Sequence, residues 1–318
     1  MRLRLGVYCI VFVTLVGCAG GSSGARSPAH YSMTPSEARA FLVEWRTNHG
    51  TQSSPQPDPT SVAEVLSILL SDEVGRFEGA VRFMDGKQGP EALTLRALLE
   101  LSWSDGYTTV ADVFAELGRR KSLEAKQLED RQTAGRELTS DEESTLEALR
   151  ANIDEMAKAQ GACDSLAAEH LRAGGALAQE AVTQGSPGAG APAETLAFYQ
   201  LLNDDWGRFD RTIQTVRQSD PDAPMLHYLT ALESLHRFAL QKEAREGLAE
   251  ALRVEPKFVR AQAKLVLLQD DIEHTYAALT ELEKLSPRHP IINLVGKLIK
   301  EEYETSMALR QAQAAHAN

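Results

Sequence analysis

A ten-residue segment of this chain occurs twice, and a chain with internal similarity folds into repeated structural units. Residues 69–78 align with residues 201–210, with six identical positions among the ten. Each copy reads as a helix end, an acidic pair, a glycine, an aromatic residue and a second helix. We expect the glycine, Gly75 or Gly207, to adopt a positive φ, and the aromatic residue to pack between the helices. The repeat therefore predicts helix–turn–helix units.

The composition indicates an all-α fold. The 318 residues are rich in Ala, Leu, Glu, Gln and Arg, which favour helices, and only 6% are aromatic. The formal net charge is −12 and there is no long basic run. Neither nucleic acid nor an anionic lipid surface is therefore expected as a partner.

The N-terminal segment has the pattern of a cleavable leader. A short basic start precedes an apolar stretch at residues 5–16, which is shorter than the roughly 20 residues needed to span a bilayer. The stretch ends in Leu15-Val16-Gly17-Cys18, which resembles the lipobox of bacterial lipoproteins. The resemblance implies removal of residues 1–17 and attachment of lipid to the sulfur of Cys18.

The residues around the predicted cleavage site bear on localisation and on the remaining thiol. Residue 19 is Ala rather than Asp, and by the resemblance this favours the outer membrane, with the protein on the periplasmic side. Cleavage would remove Cys9 and leave Cys163 as the one cysteine besides Cys18. We expect Cys163 to be a small buried residue, with a reactive or intermolecular thiol as the alternative.

Loop-like segments divide the rest of the chain. Residues 18–33 are rich in Gly, Ser, Ala and Pro and predict a flexible tether. Residues 34–184 are predicted to form an N-terminal helical domain with degenerate repeats. Residues 185–192 predict a non-helical linker, and residues 193–318 a C-terminal helical domain.

The middle of the chain predicts a long helical hairpin. Capping boxes at Thr34 and Thr139 indicate where two helices begin. We expect antiparallel helices at roughly 108–135 and 140–184, after a turn at Asp105-Gly106-Tyr107. An apolar seam runs along the second helix, and it either packs on its own domain or serves as a docking arm or dimer seam; its residues are Leu146, Leu149, Ile153, Met156 and Cys163.

The C-terminal part resembles tetratricopeptide repeats (TPRs), which are helix–turn–helix units of about 34 residues. Pro224, Pro256 and Pro290 are 32 and 34 residues apart. Large and small residues between them match the family's positions, namely Tyr228, Ala244, Leu248, Ala251, Ala278 and Leu282. The resemblance is weaker over 61–117, where Gly75 and Gly106 mark two degenerate units. It implies TPR-like repeats in a short superhelix whose concave groove binds a peptide or helix; the alternative is a generic helical bundle.

Four residues are candidate partner contacts. Arg76 and Arg208 follow the glycines of the ten-residue repeat, and each either contacts a ligand or forms a local salt bridge with the preceding acids. Tyr228 and Gln262 belong to the TPR-like part. The sequence carries no catalytic, metal-binding or phosphate-binding motif, so we expect no enzyme activity and no cofactor.

These features together predict a membrane-anchored periplasmic scaffold or adaptor lipoprotein. It would bind a protein partner in the cell envelope and assist assembly or activation of an envelope complex. One alternative is a cell-wall or glycan-binding envelope protein, or an enzyme with an unrecognised helical site. Another is a structural oligomer that associates through the 140–184 seam.

Overall fold

The computed structural model describes residues 31–49, 57–185, 191–269 and 271–317, and every regular element in these ranges is helical. The predicted all-α class is confirmed for this part of the chain. The predicted leader, Cys18 and the tether up to residue 30 lie outside it. The helices are α1 (Pro35–His49), α2 (Val62–Leu70), α3 (Phe77–Met84), α4 (Pro90–Thr133), α5 (Ser140–Gln184), α6 (Ala191–Leu202), α7 (Trp206–Ser219), α8 (Pro224–His236), α9 (Gln241–Val254), α10 (Val259–Leu267), α11 (Ile272–Leu285), α12 (Pro290–Leu294) and α13 (Gly296–Ala317).

An antiparallel hairpin of α4 and α5 forms the centre of the structure, as predicted. The two helices have 44 and 45 residues. Because α4 begins at Pro90, the predicted turn at Asp105-Gly106-Tyr107 is wrong, and so is the degenerate repeat unit expected around Gly106. One glycine costs a helix only about 1 kcal/mol. Asp105 lies within α4, and its carboxylate forms a buried ion pair with Lys264.

Two glycines let the hairpin approach its neighbours closely. A Cβ atom added at Gly174 of α5 would lie 2.8 Å from the Cγ atom of Leu101 on α4. A Cβ atom at the next residue, Gly175, would overlap the ring of Tyr199 on α6. These glycines therefore set the spacing of α5 from α4 on one side and from α6 on the other.

The apolar seam of α5 is buried within the chain. Leu146 and Leu149 pack on Ala125 of α4 in a small cluster, whereas Met156 and Cys163 belong to a larger core. The seam is thus covered by the protein's own helices. The expectation of a buried thiol is confirmed, and burial raises the pKa of the Cys163 thiol well above its usual value.

Both predicted capping boxes are present. The Thr34 N–H donates to Glu37 Oε2 at 2.8 Å, and the Glu37 N–H donates to Thr34 Oγ1 at 3.3 Å. Thr139 and Glu142 make the same reciprocal pair at the start of α5, at 2.9 and 3.2 Å. Each box satisfies donors that the first helical turn leaves unpaired, so these two helix starts follow from local sequence alone.

The two copies of the ten-residue repeat share a turn in which an aspartate, not the glycine, has a positive φ. Asp72 has a φ of 48° and Asp204 a φ of 54°. Gly75 lies instead in a short 3₁₀ helix (Val74–Arg76) before α3, and Gly207 lies in the first turn of α7, so the role predicted for them is wrong. The short polar side chain of Asp tolerates the left-handed conformation, which allows it to replace glycine at a helix end.

Three helix pairs follow the hairpin, namely α6 with α7, α8 with α9, and α10 with α11. Phe209 is buried in the cluster shared by α6 and α7, and its counterpart Phe77 is buried in the cluster of α2 and α3. The predicted packing of both aromatic residues is therefore confirmed. Ala244 and Ala251 are buried on α9, where small residues permit close approach to α8.

Helix α4 packs against the C-terminal part of the chain as well as against α5. Helices α6, α10 and α12 all contact it. Leu101 of α4 lies in the same buried cluster as residues of α6–α9, and Val110 of α4 lies in a cluster with Val259 of α10. The hydrophobic core is thus continuous across the predicted 185–192 linker. Helix α6 includes the last two linker residues, and residues 186–190 lie outside the described ranges.

The end of the predicted tether is bound to α5. The Tyr31 hydroxyl donates to Asp154, and Ser165 Oγ donates to the Met33 carbonyl oxygen at 2.8 Å. Gly161 accommodates the Tyr31 backbone between these two contacts. Residues 31–33 therefore lie along the middle of α5.

Alanine at Gly174 tests the close approach of α4 and α5. We expect Gly174→Ala to lower the free energy of unfolding by about 1–3 kcal/mol, because the new methyl group meets buried Leu101. Gly118→Ala on α4 is the matched control, since its nearest neighbour would be 3.8 Å away and alanine favours a helix by about 1 kcal/mol. Urea denaturation followed by circular dichroism measures both, and equal effects would contradict the role of Gly174.

Candidate functional site

A network of buried polar side chains joins the N-terminal helices to the C-terminal pairs. We call it the junction network; its members are Asp72, Ser102, Asp105, Tyr228, Arg260, Lys264 and His289. Each of them is at most 7% exposed to solvent. Charged groups at this depth must be paired, because an isolated buried charge costs several kcal/mol.

Helix α10 supplies the two cations of the junction network. Arg260 and Lys264 are one helical turn apart and point in the same direction. Lys264 Nζ lies 2.9 Å from Asp105 Oδ1 on α4, and Arg260 Nε lies 3.7 Å from Asp72 Oδ1 in the turn after α2. One face of α10 is thus neutralised by two acids from separate parts of the chain.

Three further side chains complete the junction network. The Tyr228 hydroxyl donates to Asp105 Oδ2, and the Arg260 guanidinium donates to Ser102 Oγ. His289 Nδ1 accepts from the Ile291 N–H at 3.2 Å, so its Nε2 carries the proton that is donated to Asp72 Oδ2 at 3.1 Å. The tautomer of His289 is therefore set by the local backbone.

The electrostatics keep Asp105 ionised and Tyr228 protonated. Burial by itself would raise the pKa of Asp105, but Lys264, Tyr228 and Arg260 outweigh it and hold the pKa below the usual 3.8. The ionised Asp105 carboxylate therefore stabilises the folded state above pH 3.8, and this contribution is lost as the pH falls further. Burial, followed by the Asp105 charge, raises the pKa of Tyr228 well above 10.

The predicted contact residues occupy two kinds of environment. Tyr228 is fully buried, and Gln262 is 9% exposed and donates to the Ala278 carbonyl oxygen at 3.0 Å. Both side chains are buried and form hydrogen bonds within the chain. Arg76 Nη1 lies 3.5 Å from Glu73 Oε2, and Arg208 Nη1 lies 3.4 Å from Asp205 Oδ2. The local salt bridges predicted for the two arginines are confirmed.

Helix α4 packs against the C-terminal helix pairs. Tyr228 of α8 and Lys264 of α10 both bind Asp105 from that helix. A single carboxylate of α4 therefore joins two of the helix pairs to the hairpin. The sequence already indicated the two cations of the junction network, because Arg260 and Lys264 interrupt an apolar stretch and are four residues apart.

Helix α2 exposes an apolar surface of its own. Val62, Leu66 and Leu70 recur every four residues and are 43%, 44% and 69% exposed. We call these three residues the α2 apolar face. Val65 and Ile68 lie on the opposite side of the helix and are fully buried. The sequence already indicated this exposed surface, because a helix with apolar residues on all sides cannot bury every one of them in a single core.

Substitution of the two equivalent aspartates in the ten-residue repeat tests the junction network. Asp72→Asn keeps size and tolerance of positive φ but removes the charge beside Arg260, so we expect a loss of about 3–5 kcal/mol in unfolding free energy. Asp204→Asn changes the equivalent residue, which is exposed, and should change the unfolding free energy by less than about 0.5 kcal/mol. Guanidinium denaturation measures both, and similar losses would contradict the role given to Asp72.

Within the described ranges, no three His, Cys, Asp or Glu side chains come together where they could hold a metal ion. None of the helices in that part of the chain has the length and apolar character needed to cross a membrane. No protein-family model, curated protein or solved structure matches this chain. A functional proposal therefore starts from the sequence pattern and from the protein's own surface.

Proposed function

We propose that this protein is a membrane-anchored periplasmic scaffold or adaptor lipoprotein at the outer membrane. It binds a protein partner in the cell envelope through the α2 apolar face. The lipid anchor rests on the lipobox-like segment that ends at Cys18. The partner-binding part rests on the solvent exposure of three aliphatic side chains on one helix.

The α2 apolar face is the observation that carries the proposal. Contiguous apolar side chains are unfavourable in water, and such patches mark surfaces that another molecule covers. From Val62 to Leu70 the face extends about 12 Å along the helix axis. That length suits the apolar side of one partner helix packed across α2.

The polar surroundings of the face define the partner further. Glu64 is an exposed acid on the same helix, and the hydrogen bond from the Thr60 N–H lowers the pKa of its carboxyl. The whole chain carries a formal charge of −12. The partner we propose is therefore an amphipathic helix whose apolar side is flanked by basic residues.

The TPR-like interpretation belongs to the proposal as well. Its support is the series of three helix pairs and the small residues buried on α9. The resemblance implies a concave groove for a peptide or helix. Because α4 packs on α6 and α10 and binds Tyr228 of α8, we assign partner binding to α2 instead.

Site-specific crosslinking in native cells tests the α2 apolar face. A photoreactive residue at Leu66 should give one dominant adduct with an envelope protein. The same residue at Leu123 is the matched control, because Leu123 is 50% exposed but stands alone on the hairpin. Leu70→Asp should abolish the adduct formed at Leu66, since it places a charge in an apolar contact.

Three outcomes would count against this assignment. Adducts of the same pattern from Leu66 and Leu123 would mean that α2 has no special role. An adduct at Leu66 that survives Leu70→Asp would mean that the apolar contact is not what binds. An adduct with a second copy of this chain would favour the structural-oligomer alternative.

Replacement of the predicted lipidated cysteine tests the anchor. Cys18→Ser should abolish incorporation of labelled palmitate and release the protein from the membrane fraction, because the sulfur is the predicted attachment atom. Cys163→Ser is the control and should keep both properties, since that thiol is buried in the fold. Labelling that persists in Cys18→Ser would rule out the proposed anchor.

A further inference from the structure

A cleft of about 350 Å³ opens where α1, α4, α5 and α13 meet, away from the α2 apolar face and the junction network. Its floor is apolar and rigid, with Trp45, Leu117 and Met156 all buried to at least nine tenths. The Trp45 indole N–H donates to the Leu294 carbonyl oxygen at 3.1 Å, which fixes the ring. A pocket with an apolar floor and polar groups at its mouth is the usual form of a ligand site.

Carboxylates dominate the mouth of this cleft. Glu302 is committed to Arg120, with Nη1 3.0 Å from its Oε1. Glu155 and Glu301 have looser partners, with His49 Nε2 and Lys297 Nζ each 3.7 Å away. Separations of this length leave both carboxylates able to accept a charge-assisted hydrogen bond.

The cations of the mouth do not offset these acids. Lys121 lines the cleft, but its Nζ lies 3.4 Å from Glu124 Oε1. His49 stacks on Trp45 with ring centroids 4.3 Å apart and covers part of the floor. The lining thus has three carboxylates and one lysine; Arg120 and Lys297 pair with two of the carboxylates from outside the lining, and the whole chain has a formal charge of −12. The resulting field attracts cations and repels anions.

We infer that this cleft binds a cationic group carried on a short aliphatic stem, the chemistry of a lysine side chain or a free alkylamine. The stem lies on Leu117 and Met156, and the ammonium group is held by Glu155 and Glu301. Apolar floor and acidic mouth are both needed, because the first gives affinity and the second selects the charge. The inference stands independently of the α2 apolar face.

Three probes with one five-carbon chain and different head groups test it: n-pentylamine, n-pentanol and pentanoate. Binding to the full-length protein is followed by the methyl NMR signals of Met156 and Leu298. We expect pentylamine to bind about tenfold more tightly than pentanol, because a charge-assisted hydrogen bond contributes at least that factor. Pentanoate should bind least. Equal affinities for pentylamine and pentanol, or no shift with any probe, would overturn the inference.

Conservative variants separate the two carboxylates from the general charge of the protein. Glu155→Gln and Glu301→Gln should each weaken pentylamine binding about fivefold or more and leave pentanol binding unchanged. Glu304→Gln is the matched control, because Glu304 is exposed on α13 and lies outside the cleft. A loss in Glu304→Gln as large as that in Glu155→Gln would overturn the assignment.

The tripeptide Gly-Lys-Gly distinguishes the two sources of the ligand. Binding of this peptide at the same methyl signals, with loss in Glu155→Gln, supports a lysine side chain presented by another protein. Binding of pentylamine without the peptide supports a free alkylamine. Peptide binding that is unaffected by Glu155→Gln would contradict the proposed role of that carboxylate.

Discussion

The two buried cations of α10 are the constraint on which the rest of this structure depends. Arg260 and Lys264 are 7% and 2% exposed, so each requires an anion within the protein. Asp72 and Asp105 provide the two anions from the turn after α2 and from the middle of α4. Helix α10 can therefore dock only where both aspartates reach it, and this single requirement aligns three distant parts of the chain.

The network contributes more by fixing the register of α10 against α4 than by adding to the free energy of unfolding. A buried ion pair adds little over apolar side chains of the same size, but a register that leaves one partner unpaired costs about 3–5 kcal/mol. Slippage of α10 by one turn along α4 would move Lys264 away from Asp105. The same register also allows the hydrogen bonds made by Ser102, Tyr228 and His289, so it is favoured further over a shifted one.

Local signals in the sequence specify the helices, whereas the way in which the helices meet depends on distant residues. The capping box at Thr139 locates the start of α5, because both of its donors and acceptors lie within four residues. Gly106 misled the prediction of a turn, because the helix there is held by packing on other elements. Tyr228 was predicted as a possible partner contact, but it is fully buried and its hydroxyl donates to Asp105 of the same chain.

The ten-residue repeat shows the same division between local and distant effects. Both copies form the same turn with an aspartate at positive φ, as their similar sequences require. Asp72 is nevertheless 3% exposed and ion-paired, while Asp204 lies at the surface. The difference arises from Arg260 and His289, which approach the first copy alone and lie far from it in sequence. No reading of the repeat itself could have told the two copies apart.

The position of Asp72 also connects the junction network to the α2 apolar face. Asp72 follows Leu70 by two residues, so the buried ion pair with Arg260 holds the end of α2 in place. Val65 and Ile68 hold the helix from its inner side, in the cluster shared with α3 and α4. A helix fixed in this way loses little conformational freedom when a partner covers its outer side, and binding is stronger for that reason. Under the proposed function, the buried charges contribute to partner binding by keeping the α2 apolar face rigid, without contacting the partner themselves.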